Sequence, residues 1–112
     1  MIKKLLKPVG VLLLLLSNNG FAGELVKNAQ IVEIGSSSDG VTDNFYIVTT
    51  GGEGLCVNKA IIFKRTATSS PEFFNRLYTT ALTAYTTNAK KVRIYNTTDD
   101  SCGAATYIQI NK

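Results

Sequence analysis

Five short stretches patterned for β-strands, one switch to helical periodicity between the third and the fourth, and two cysteines in 112 residues predict a mainly β domain with one helix. The expected order, β-β-β-α-β-β, is that of the OB-fold, a partly open five-stranded barrel. An open α+β sandwich shares this order and is the alternative. The length supports one domain, with residues 1–22 read as a signal peptide and 23–112 as the domain.

The signal comes first. Lys3, Lys4 and Lys7 stand ahead of Pro8-Val9-Gly10 and an apolar run over residues 11–16, and Ser17-Asn18-Asn19-Gly20-Phe21-Ala22 follows. A basic segment, an apolar segment and small residues in that order mark an export signal. The apolar stretch is far shorter than the ~20 residues a membrane-crossing helix needs. Gly20 and Ala22 suit the small −3 and −1 positions, so cleavage is expected after Ala22. No cysteine follows closely, which leaves lipoprotein processing without a thiol. The expected product is exported, to the periplasm or the medium, with no membrane anchor once the signal is gone.

In the domain, residues 25–34 alternate imperfectly through Val26, Ile31, Val32 and Ile34, and the run from Gly35 to Gly40 is expected to end this strand in a long turn. Residues 45–50 are dense in aromatic and β-branched types and run into Gly51-Gly52-Glu53-Gly54, as a second strand entering a hairpin turn would. Leu55-Cys56-Val57 and residues 60–63 predict a third strand, with a bulge at Asn58-Lys59. Ser70-Pro71-Glu72 then supplies an N-cap, a proline at the first helical position and an acidic first turn. Phe73, Phe74, Leu77, Tyr78, Ala81, Leu82, Ala84 and Tyr85 recur at helical spacing, and Thr87-Asn88 offers a stop. Asn75, Arg76, Thr79, Thr80, Thr83 and Thr86 fill the other face; threonine is a poor helix former, so packing must hold this helix. Val92-Arg93-Ile94-Tyr95 alternates as a fourth strand. The polar loop 96–101 and Cys102 lead to a fifth over residues 106–110.

Cys56 and Cys102 are 46 positions apart, with no CxxC pair and no histidine in the chain. Neither a zinc knuckle nor a thioredoxin-like site has its ligands. An even cysteine count in a small exported domain reads as a disulfide, here joining the third strand to the start of the fifth.

Charge excludes other classes. The chain carries 12 Lys and Arg against 8 Asp and Glu. Removing the three signal lysines leaves nine against eight, with no concentrated basic stripe, so a nucleic-acid partner is not expected. Without histidine, Ser-His-Asp and Cys-His catalysis and His-ligated metals are absent. The expectation is a protein that is not an enzyme and needs no metal or cofactor. Ser36-Ser37-Ser38 and Glu53 lack a base or partner carboxylate. Asp99-Asp100 beside Asn96, Thr97 and Ser101 offer oxygens of the kind Ca²⁺ takes, but not in EF-hand spacing, and read as a solvated turn. Lys64-Arg65 and Lys90-Lys91 read as solvated strand edges.

The run from Phe74 to Asn88, followed by Val92-Arg93-Ile94-Tyr95, resembles the helix and strand of the receptor-binding B subunits of the subtilase cytotoxin and typhoid toxin group. The same block, with Gly54-Leu55-Cys56 and Asp99-Asp100-Ser101-Cys102, more closely resembles a set of small exported bacterial proteins of unknown function. The toxin resemblance implies an OB-fold, pentameric rings and binding of sialylated glycans. The toxins' sugar-contacting serine falls near Lys27 here and their contacting tyrosine at Asn96, so neither residue is matched, and the resemblance carries the fold.

The function expected from these readings is a non-enzymatic exported domain that binds a glycan or protein partner. The candidate binding residues are Tyr46, Tyr95, Asn96 and Tyr107, with loops 36–43 and 97–101. The alternative is a structural or assembly subunit of a secreted or envelope complex. A monomer or weak dimer is expected ahead of a pentamer, because edge lysines oppose strand pairing between copies.

Overall fold

The computed structural model describes residues 23–38 and 40–112; the expected signal segment lies outside the described residues. The chain folds as β1 (Glu24–Ser38), β2 (Asp43–Thr50), β3 (Ala60–Lys64), a short 3-10 turn (Arg65–Ala67), α1 (Pro71–Thr86), β4 (Val92–Tyr95) and β5 (Tyr107–Ile110). Among the described residues, the mainly β class, the single α-helix and the element order are those the sequence predicts.

All strands join one antiparallel sheet in the order β3-β2-β1-β4-β5. The expected barrel is not closed, because β3 and β5 form no ladder and remain the two edges. The edges still approach one another. The Ile62 N–H donates to the Cys102 carbonyl at 2.8 Å, and the Ala105 N–H donates to the Ile62 carbonyl at 2.9 Å. The segment ahead of β5 therefore covers β3 where a barrel would pair strand with strand.

β1 is longer than the sequence suggests, running through Gly35 to Ser38 because residues 35–38 pair in register with Tyr46 through Asp43. It serves two neighbours in turn. Its first half pairs with β4 and its second with β2, and three register shifts bend it between them, as bulges do. Asn28, at φ 56°, sits within one of these irregular stretches.

The third strand starts later than expected, at Ala60. Residues 53–56 fold back onto β1 instead: Lys27 and Glu53 exchange both backbone hydrogen bonds, at 2.8 and 3.0 Å, and the Cys56 N–H donates to the Leu25 carbonyl at 3.1 Å. With that amide committed to β1, Cys56 cannot extend β3 along β2. The return turns at Asn58, whose φ is 64° and whose N–H reaches the Thr49 carbonyl. Glycine is required where this turn lies on β1. A Cβ on Gly52 (φ +67°) would strike the Lys27 carbonyl oxygen, and one on Gly54 (φ +137°) the Leu25 carbonyl oxygen.

The cysteines are joined as expected, with Cα atoms 5.9 Å apart, but the bridge starts from the turn before β3, not from the strand. A disulfide is consistent with export. Among the described residues, no helix is long and apolar enough to cross a membrane.

α1 begins as its sequence dictates. Ser70 is the N-cap and its hydroxyl accepts the Phe73 N–H at 3.1 Å. Leu77, Ala81 and Ala84 are buried, while Leu82 and Tyr85, counted in the apolar stripe, lie at its exposed margin. Thr79, Thr80, Thr83, Thr86 and Thr87 each donate a hydroxyl to the carbonyl four residues back. The core lies between the helix and the inner sheet face. At one end Phe45 stacks on Phe63 at 4.5 Å and meets Phe74 and Tyr78 at 5.5 and 5.2 Å.

Candidate functional site

β4 alternates as a half-buried strand must: Val92 and Ile94 are fully buried, so Arg93 and Tyr95 project from the opposite, outer face. β5 pairs in register, setting Tyr107 across from Tyr95 and Gln109 across from Arg93. The two tyrosine rings meet edge to face, 5.1 Å between centroids. The Arg93 guanidinium lies 5.1 Å from the centre of the Tyr95 ring. With Thr97 these residues line a cleft of about 470 Å³.

The cleft's charge is balanced locally. Arg93 Nε donates to Glu24 Oε2 at 2.7 Å, which joins the first residue of β1 to the middle of β4. That hydrogen bond, with the carboxylate's charge, raises the Arg93 pKa above its ordinary value, against a smaller opposing effect of burial. At the upper rim the Thr97 and Thr106 hydroxyls are 3.0 Å apart. Tyr107 is 41 % exposed, which leaves one ring available to stack on a ligand while Tyr95 is held from two sides.

The four residues singled out in the sequence separate into three settings. Tyr95 and Tyr107 come together in this cleft. Tyr46 lies on β2, two strands from β4, with its hydroxyl donating to Glu33 Oε2 at 3.0 Å. Its ring lies over Gly35, where a Cβ would fall 2.5 Å from the ring. Asn96 is buried, 1 % exposed, and its amide is spent inside the loop. Nδ2 donates to Asp99 Oδ1 at 2.6 Å and to the Ser101 carbonyl at 3.0 Å, while Oδ1 accepts the Thr98 N–H and hydroxyl. Its own N–H donates to the Gly23 carbonyl at 2.7 Å. Asn96 thus organises the loop that presents Thr97.

Asp99 is committed to the same loop, accepting also from the Ser101 N–H. Among the described residues, no group of three or more His, Cys, Asp or Glu side chains could hold a metal ion. Of the two loops, 97–101 contributes Thr97 to the cleft, while Ser36, Ser37 and Asp43 of the other line a separate hollow. Arg93 and Gln109 were missed as site residues, although strand alternation alone puts each on the face of its tyrosine.

The chain belongs to a family of unknown function, DUF5992, whose model matches residues 5–112. No curated protein and no solved structure matches it.

Proposed function

We propose that the mature protein is an exported, non-enzymatic binding domain that recognises a glycan or protein partner through the cleft on the outer face of β4 and β5. The observation that carries this reading is the pairing of Tyr95 with the exposed Tyr107 beside Arg93 and Gln109. An exposed aromatic plate offers apolar area at small entropic cost, and the flanking guanidinium, amide and hydroxyl can orient a polar ligand. Among the described residues, the cleft holds a cation and neutral donors, but no nucleophile with a base beside it, as a hydrolase would need. Export to the periplasm or the medium follows from the order of the N-terminal segments and agrees with the disulfide. The more distant likeness to toxin B subunits supports glycans as the first ligands to try.

A glycan array run with the mature protein, alongside size-exclusion light scattering, tests this reading. Specific array signal that Tyr107→Ala abolishes, with the fold intact, is the expected result. An empty array together with no captured protein partner would refute it.

A second reading, an assembly subunit, is favoured by the outer edge of β5, which is unpaired among the described residues and carries Tyr107 and Ile110, 41 % and 37 % exposed. Its expected result is a particle near five chain masses that persists at micromolar dilution. The binding-domain reading expects a monomer or weak dimer.

A further inference from the structure

Beyond the tips of the core, the inner face of the sheet changes character. Ser36 pairs with Phe45 and Ser38 with Asp43, and Phe45 is buried against the helix. The pleat therefore sets Ser36 and Asp43 on the same face as the core aromatics, but past the helix that covers them. The result is a hollow of about 360 Å³ between the β1–β2 hairpin and the first two turns of α1. Its floor is apolar, formed by Phe74 and Tyr78 over Phe45, and its rim carries Ser36, Asp43, Asn44 and Asn75.

This rim differs from the threonine face of the helix. The helix threonines spend their hydroxyls on their own backbone. The side-chain polar groups of Ser36, Asp43, Asn75 and Tyr78, in contrast, have no hydrogen-bond or ion-pair partner among the described residues. Among the described residues, no cationic side chain lines the hollow.

We propose that this hollow is a second binding site, taking a single neutral pyranose unit. The ligand class rests on the glycan half of the proposed function; the location does not. A pyranose presents a C–H face and a rim of hydroxyls. Phe74 and Tyr78 offer apolar area to the first. The Asp43 carboxylate accepts from hydroxyls, and the Asn75 amide both donates and accepts. The volume lies near the lower end of the ~300–1,000 Å³ typical of ligand pockets, which suits one ring. The Asp43 carboxylate, which makes no ion pair among the described residues, disfavours acidic sugars by like-charge repulsion. In this the hollow differs from the Arg93 cleft.

The test is an NMR titration of the disulfide-bonded mature protein with the methyl glycosides of glucose, galactose, mannose and N-acetylglucosamine, and with glucuronate for comparison. At least one neutral glycoside should shift the amides of residues 36–44 and 74–78, and glucuronate should not. Asp43→Ala and Asn75→Ala, both at exposed positions, should each weaken that binding about fivefold, the loss of one hydrogen bond. Tyr107→Ala should leave it unchanged. Silence of the hairpin amides toward all four glycosides, equal binding of glucuronate, or indifference to both substitutions would overturn the proposal. A glycan-array signal that depends on Tyr107 while the hollow stays silent would remove this site and leave the β4–β5 cleft standing.

Discussion

The amide of Ile62 donates to the carbonyl of Cys102, so the free edge of β3 is covered by the very residue that the disulfide anchors. Cys102 is tied to Cys56, and the Cys56 amide is tied to Leu25 on β1. One covalent bond thus holds the segment ahead of β5 across an opening that a closed barrel would seal with a strand ladder.

Removing that bond should be costly. Cross-linking a loop of this length restricts the unfolded chain by an amount worth about 4 kcal/mol in the chain-entropy model. Urea unfolding of the Cys56→Ala/Cys102→Ala protein should show a loss approaching that value, with faster hydrogen exchange at Ile62 and Ala105. Unchanged exchange at both amides would show that the edge is covered without help from the bridge.

Neighbouring glycines should respond unequally to alanine. Gly51 has φ +75° with open space where a Cβ would go, whereas at Gly52 a Cβ would meet the Lys27 carbonyl oxygen and lie 2.5 Å from that of Asn28. Gly51→Ala should cost about 1 kcal/mol, the penalty of left-handed backbone. Gly52→Ala should cost about 3 kcal/mol or more, because the turn must leave β1. Chemical denaturation of the two variants side by side checks the difference.

Thr49 is fully buried, and its hydroxyl has no hydrogen-bond partner among the described residues. A buried polar group without a partner destabilises the fold. Thr49→Val keeps the shape and removes the orphan, so it should raise stability by about 1 kcal/mol. A lower unfolding midpoint in urea would contradict the assignment.

Tyr46 should titrate late. Its hydrogen bond to Glu33, followed by the charge of that carboxylate, raises the phenol pKa above its ordinary 10.0. The proton is held more tightly in the folded chain, so the contact's contribution is full below the ordinary phenol range and is lost as pH rises through the elevated value. Ultraviolet titration should show a phenol ionising above the ordinary range, and Glu33→Gln should remove that late step.

The helix, its serine cap and proline start, the strand segments and the cysteine pair were legible in the sequence, because each rests on local periodicity, capping chemistry or simple counting. Even the cleft was half visible, since alternation in Val92-Arg93-Ile94-Tyr95 already puts Arg93 and Tyr95 on one face. Tertiary structure decided what depends on where backbone groups find their partners. The Cys56 amide went to Leu25 rather than to β2, which delayed β3. Ser36 to Ser38 remained extended because Asp43 to Phe45 offered a register to pair with. Asn96, indistinguishable in sequence from an exposed loop asparagine, is buried because Gly23, Thr98, Asp99 and Ser101 use up its hydrogen bonds. Long-range pairing of this kind leaves no periodic trace in the chain, so only the folded structure reveals which polar residues are free to meet a ligand.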